Sequence, residues 1–230
     1  MISVNGDGGF IHAYASDRQA DGAAACPAGS GHRRARLRVR LDPDGIGHGT
    51  IVNPATRAYH CWQAWGSDHM NPAMQQQDPM CWQAFQANPD TMWNWMSALR
   101  DGLGGNFQGA TPDGQLCSNG LARNNSLNNP GQWKATTIGS NFTMQLYDQA
   151  SHGADFFRVY VSKNGFDPTT QRLGWGNLDF ITQTGRYAPA SNISFNVQTS
   201  GYTGRHIIFT IWQASHLDQT YMWCSDVNFG

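Results

Sequence analysis

FTMQLY at residues 142–147 and ISFNVQ at residues 193–198 decide the fold. Phe142, Met144 and Leu146 alternate with Thr143, Gln145 and Tyr147, and Ile193, Phe195 and Val197 alternate with Ser194, Asn196 and Gln198. A period of two sends successive side chains to opposite faces of a strand, so each stretch reads as a half-buried β-strand. DFFRVYVS (155–162), LDFITQT (178–184), RHIIFTIWQA (205–214) and YMWCSD (221–226) continue the series, with Gly, Pro and Asn between them. This spacing predicts a mainly β protein, an antiparallel sandwich of the immunoglobulin or fibronectin-III type.

Upstream of these strands the pattern changes twice. Residues 49–52 can form a first strand, after which Asn53-Pro54 turns the chain into a Trp-, Met-, Asn- and Pro-rich insertion spanning about residues 53–129. Within it, PMCWQAFQ (79–86) and DTMWNWMSALRD (90–101) read as short helices. The second has Asp90 as N-cap and Met92, Trp93, Met96 and Leu99 along an apolar stripe. Trp93 suits that stripe or an exposed surface equally, and Phe107 is a further surface candidate.

Residues 1–47 are different material, holding six of the fifteen basic residues, five of them in HRRARLRVR. No apolar run of signal-peptide length adjoins His48, so this prefix is expected to be a disordered tail or a gene-model artefact in place of a signal peptide. The arginine run could also serve as a nucleic-acid-binding arm, but a solvated tail is preferred. The first domain residue is then His48. If the chain is cut just before it, this one residue offers a metal both an α-amino group and an imidazole.

Composition narrows the function. With 40% hydrophobic and 12% aromatic residues among 230, the chain can build one sizeable core, and a net charge of -1 gives no global field toward nucleic acid or membrane. All sixteen acidic residues are aspartate. Cys61, Cys81, Cys117 and Cys224 form an even set without a CxxC pair, which favours two disulfides and an oxidising compartment over a zinc site. Three pairings are open; we expect Cys61 with Cys81 inside one loop region and Cys117 with Cys224, tying that region to the C-terminal strand.

His152 lies in DQASHGADFF, a loop between two strands, where sites are usually built. Two imidazoles and an amine suit both oxidation states of copper. Asp148 and Asp155 flank His152 and are read as salt-bridging or capping residues in preference to the carboxylate pair of a glycoside hydrolase. His216 is read as structural, and His60 and His69 as surface residues of the insertion.

HGTIVNPATR (48–57), QDPMCWQAFQANP (77–89), PDGQLCSNG (112–120), LYDQASHGADFFRVYVSKNGFDP (146–168), FTIWQASHLDQTY (209–221) and CSDVNF (224–229) occur in order. Together they resemble the bacterial copper-dependent lytic polysaccharide monooxygenases, in their cellulose-active branch, over nearly all of residues 48–230. The resemblance implies a single copper ion held by His48 and His152 in a histidine brace. It further implies that Phe229 is the axial aromatic residue and that Ala150 is the small residue shaping the oxygen-binding face. Asp90 and Trp93 are implied on the substrate-facing surface. The family has a Glu or Gln near the copper-bound oxygen, for which Gln219 is the candidate in a chain without glutamate. The implied reaction is hydroxylation at C1 or C4 of a β-1,4-glucan in crystalline cellulose, or in chitin, by a secreted monomer. It uses O2 or H2O2 and an external electron donor. If residues 1–47 stay attached, the alternative is a non-catalytic polysaccharide-binding protein, because a peptide nitrogen replaces the amine.

Overall fold

The computed structural model describes residues 48–230, so the readings made on residues 1–47, Cys26 among them, lie outside the described residues. The chain runs through β1 (Gly49–Asn53), α1 (Arg57–Trp65), α2 (Met74–Gln77), α3 (Pro79–Ala87), α4 (Asp90–Trp93), β2 (Leu99–Asp101) and α5 (Phe107–Ala110). It continues through β3 (Thr136–Ile138), β4 (Asn141–Asp148), β5 (Ala154–Ser162), β6 (Leu178–Gln183), β7 (Asn192–Gln198), β8 (Gly204–Ala214) and β9 (Gln219–Phe229). One sheet has the order β1-β4-β7, and the other has β2-β9-β8-β5-β6 with β3 beside β9. Pairing is antiparallel except for β3 with β9, which is parallel.

The period-two stretches form the inner face of the smaller sheet. Leu146 faces Ile193 and Met144 faces Phe195 across β4 and β7, all four buried, while Gln145 and Ser194 between them are exposed. β8 departs from simple alternation because both of its faces are covered. Ile208, Trp212 and Ala214 join the core between the sheets, and Ile207, Phe209 and Ile211 join a second core beneath the insertion. A near-continuous apolar run is what a strand buried on both sides requires. β9 divides in the same way, with Tyr221, Trp223, Val227 and Phe229 toward the smaller sheet and Met222 and Cys224 toward the insertion.

The insertion is fastened to that outer face of β9. Cys117 bonds Cys224, and Cys61 bonds Cys81 to join α1 to α3. The longer closed loop constrains the unfolded chain more, by about 5 kcal/mol against about 3 for the shorter. Two residues beyond Cys224, the buried Asp226 accepts from Arg57 of α1, at 2.6 Å from Nε and 3.2 Å from Nη2. Arg57 also donates to Leu127 O at 2.6 Å and lies 4.8 Å over the Trp133 ring.

Two expectations for the insertion change. α1 is not read from the sequence, although Ala58, Cys61, Trp62 and Trp65 stand at helical spacing along it; Thr56 caps it by accepting from Tyr59 N–H. The helix expected over residues 90–101 stops at Trp93, and Leu99–Asp101 is a strand because it adds to the edge of β9. Asp90 is the first helical residue, not the cap: Asn88 Oδ1 accepts from Asp90 N–H.

Replacing Arg57 by Met should cost about 3–5 kcal/mol, because Asp226 is left buried without either of its guanidinium hydrogen bonds. Urea denaturation checks this, and Arg205, 3.6 Å from Asp226, marks the residual partner.

Candidate functional site

His48 and His152 come from distant parts of the chain and meet at one end of the sandwich, with ring centroids 5.4 Å apart. Strand pairing brings them there. Gly49 pairs with Asp148, and His48 O accepts from Gln149 N at 2.7 Å, so β1 delivers His48 against the β4–β5 loop that carries His152. Glycines permit the approach. A Cβ on Gly49 would lie 2.8 Å from the Trp212 ring, and one on Gly153, whose φ is +70°, would lie 2.8 Å from Tyr187 O.

Asp148 organises the loop. Its buried carboxylate accepts from Ala150 N at 3.1 Å, from the backbone N–H of His152 and from the ring Nδ1 of His152 at 2.9 Å. A carboxylate only accepts, so Nδ1 carries a hydrogen, and in the neutral ring Nε2 is then the nitrogen whose lone pair can bind a metal. Ser215 Oγ donates to His152 O at 2.7 Å, and Trp212 Nε1 donates to Gly153 O at 2.9 Å. His216 lies exposed in the β8–β9 turn and stacks on His152 at 4.2 Å. Burial pushes the His216 imidazole below its ordinary pKa, and His152 and His48 add to this against the opposing pull of Asp148.

Tyr221 completes the inner wall. Its hydroxyl is 3.4 Å from His48 N, and its ring stacks on Trp212 at 4.4 Å. Burial pushes its phenol well above the ordinary range, so it stays protonated. Gln219 lies two residues earlier on the same face of β9, and its buried Oε1 has no protein partner. Ala150 is exposed in the loop.

The structure does not bring Phe229 to this site. It lies at the other end of β9, paired with Gly204 and Ile138, and packs on Tyr202 and His206. Seven strand residues separate it from Tyr221, roughly 25 Å along the sheet. Phe107 is also corrected: it is 4% exposed, and its ring packs against Phe156 and beneath the Arg158 guanidinium, because α5 turns it inward. Trp93 is at the surface, 41% exposed and edge-on to His69 at 5.0 Å, and Asp90 is exposed beside it on α4. Asp155 pairs with Arg186 at 3.6 Å while Asp148 is committed to His152, so the two do not form a hydrolase pair.

Sequence reasoning missed Tyr221 and an aromatic group on the insertion. Tyr59, Trp62 and Trp95 lie 4.9–5.8 Å apart, and Trp95 reaches Tyr147, the residue before Asp148, at 6.1 Å. The signal for Tyr221 was its period-two relation to Gln219. For Tyr59 and Trp62 it was their spacing of three on a helix that had not been recognised. His60 and Asp78 approach Cys81, but that sulfur is in a disulfide and offers no thiolate.

A family model described as lytic polysaccharide mono-oxygenase, cellulose-degrading, matches residues 48–227. The chain belongs to this family. The structure of AA10A from T. fusca is 59% identical, covers 80% of this chain and 100% of that one, and superposes with a TM-score of 0.78. A lytic cellulose monooxygenase of Streptomyces ambofaciens is 31% identical over 79% of this chain and 53% of its own length. Chitin-binding protein CbpD of Pseudomonas aeruginosa is 28% identical over 84% of this chain and 50% of its own. The chain therefore spans about half the length of these curated relatives. The family's β-sandwich is the architecture found here.

Asp148→Ala should lower copper affinity about 10- to 100-fold, the usual cost of losing the group that orients a ligating histidine. Titration of the purified variant measures it, and unchanged affinity would remove Asp148 from the role of anchor.

Proposed function

We propose that this chain is a copper-dependent monooxygenase that cleaves β-1,4-glucan at the surface of crystalline cellulose. Its metal ligands are the α-amino nitrogen and imidazole of His48 and Nε2 of His152. The observation that carries this reading is the pinned His152 ring beside His48, with Nε2 left free by the Asp148 bond. The donor chemistry supports copper: the four domain cysteines are consumed in disulfides and Asp148 is occupied, so nitrogen donors remain. A peptide nitrogen does not replace an amine, so the proposal requires a mature chain that starts at His48. The family match beginning at residue 48 supports that start.

A copper ion held by His48 and His152 would supply the one-electron redox chemistry with which an external donor and O2 or H2O2 hydroxylate the glucan at C1 or C4, after which the glycosidic bond breaks by elimination. The protein's own residues set the surroundings. Tyr221, not Phe229, would be the aromatic residue lining the metal site, because its hydroxyl lies beside His48 N. Gln219, two residues earlier on the same face of β9 with its Oε1 unpartnered, would be the polar residue of the surroundings. Ala150, small and exposed, would leave room for substrate beside His152. Tyr59, Trp62 and Trp95 on one side of the insertion and Trp93 with Asp90 on another offer faces and a carboxylate suited to the apolar faces and hydroxyl edges of glucose units. Cellulose is preferred to chitin on the family description and the Streptomyces ambofaciens relative. The protein acts as a secreted monomer.

Mass and N-terminal analysis of exported protein should give a chain starting at His48 that binds one copper. With a reductant and H2O2 it should release oxidised oligosaccharides from cellulose in preference to chitin. His152→Ala should abolish that release. Full-length protein retaining residues 1–47 with unchanged copper affinity would overturn the brace. A chitin preference would overturn only the substrate. Trp62→Ala should weaken cellulose binding about threefold or more, the scale of one aromatic contact, and leave copper affinity unchanged.

A further inference from the structure

His152 is held along one edge by Asp148, but an edge contact at Nδ1 does not by itself stop the ring from rocking about that bond. Three rings lie near it. His48 and Trp212 stand off, at 5.4 Å tilted by 44° and at 5.9 Å tilted by 57°. His216 lies nearly flat against the ring, at 4.2 Å and 24°, the closest ring pair among the described residues.

The turn that carries His216 is built to hold it there. Ser215 Oγ grips His152 O at 2.7 Å, and Gln219 N closes the turn onto Leu217 O at 2.7 Å. Asp218 ties the turn to the neighbouring loop, accepting from Gly102 N at its carbonyl and from Gly104 N at Oδ2, each at 2.8 Å. Backbone and ring of His152 are thus held by consecutive residues, Ser215 and His216.

His216 is not a third imidazole ligand in this arrangement. Imidazole lone pairs lie in the ring plane, so two nearly parallel rings stacked face to face cannot both aim a nitrogen at one ion about 2 Å away.

We propose that His216 is a positioning residue: its ring face holds the His152 imidazole in the orientation that Asp148 sets, so that Nε2 points at the metal. This rests on the copper reading above. The aromatic face, not a nitrogen of His216, does the holding, and a phenyl ring should replace it.

The test compares His216→Ala, His216→Asn and His216→Phe in protein processed to His48, with unfolding temperature recorded for each. Three readouts are taken: copper affinity, the Cu(II) EPR spectrum, and the His152 ring resonances of metal-free protein. Ala and Asn should weaken copper binding about three- to tenfold, the scale of an aromatic pair. They should also alter the EPR parameters and broaden the His152 ring signals. Phe should restore all three. Wild-type behaviour in Ala and Asn would overturn the proposal, as would a Phe variant that behaves like Ala. Should the wild type bind no copper, the copper reading fails, and the ring resonances of the metal-free variants still decide whether His216 orders His152.

Discussion

The burial of β8 and β9 on both faces forces two separate layers to form against them, and the site depends on that arrangement. The smaller sheet covers Ile208, Trp212, Tyr221 and Trp223, while the insertion covers Ile207, Phe209, Met222 and Cys224. Neither cover could be lost without exposing a row of large apolar side chains, each contributing about 1.5–3 kcal/mol by its burial. Asp226 lies on the insertion side of β9, and its charge is tolerated there because Arg57 meets it with two hydrogen bonds. The same strand therefore anchors the insertion through a disulfide and an ion pair and offers its inner face to the end that carries His48 and His152.

At that end, rigidity comes from polar groups that have left water. Asp148 is buried, and its oxygens are used by the backbone and ring of His152 and by Ala150 N. Because the carboxylate is already satisfied, it orients a nitrogen donor and does not compete as an oxygen donor. Trp212 packs under both strand ends, touching the loop through Gly153 O and stacking on Tyr221. Gly49 is needed because β1 crosses this tryptophan too closely for a side chain. Packing of the core and placement of the histidines are one piece of geometry.

Much of the fold was legible because strand periodicity is local. The alternation at 142–147 and 193–198 appears as paired β4 and β7, and the favoured disulfide pairing is the one observed. α1 carried a helical stripe in Ala58, Cys61, Trp62 and Trp65 that went unread, because the Asn53-Pro54 turn just before it marked the start of an irregular insertion. Leu99 fitted a helical stripe equally well; the open edge of β9 captured it as a strand. His152 could be picked from its place in a strand-end loop. Phe229 could not be told from Tyr221 as the aromatic beside His48, since both lie on the same face of one strand and only the direction of β9 across the sheet separates them.

The sequence by itself determined the class of fold and the even cysteine set, because periodicity, turn residues and residue chemistry are carried by neighbours along the chain. Tertiary structure decided which partners those residues meet. Asp148 became the anchor of His152, Tyr221 the neighbour of His48, Trp93 a surface residue and Phe107 a buried one. The physical reason is that burial and ring stacking depend on which strands pair and which faces are covered, and these are set by contacts between segments far apart in sequence.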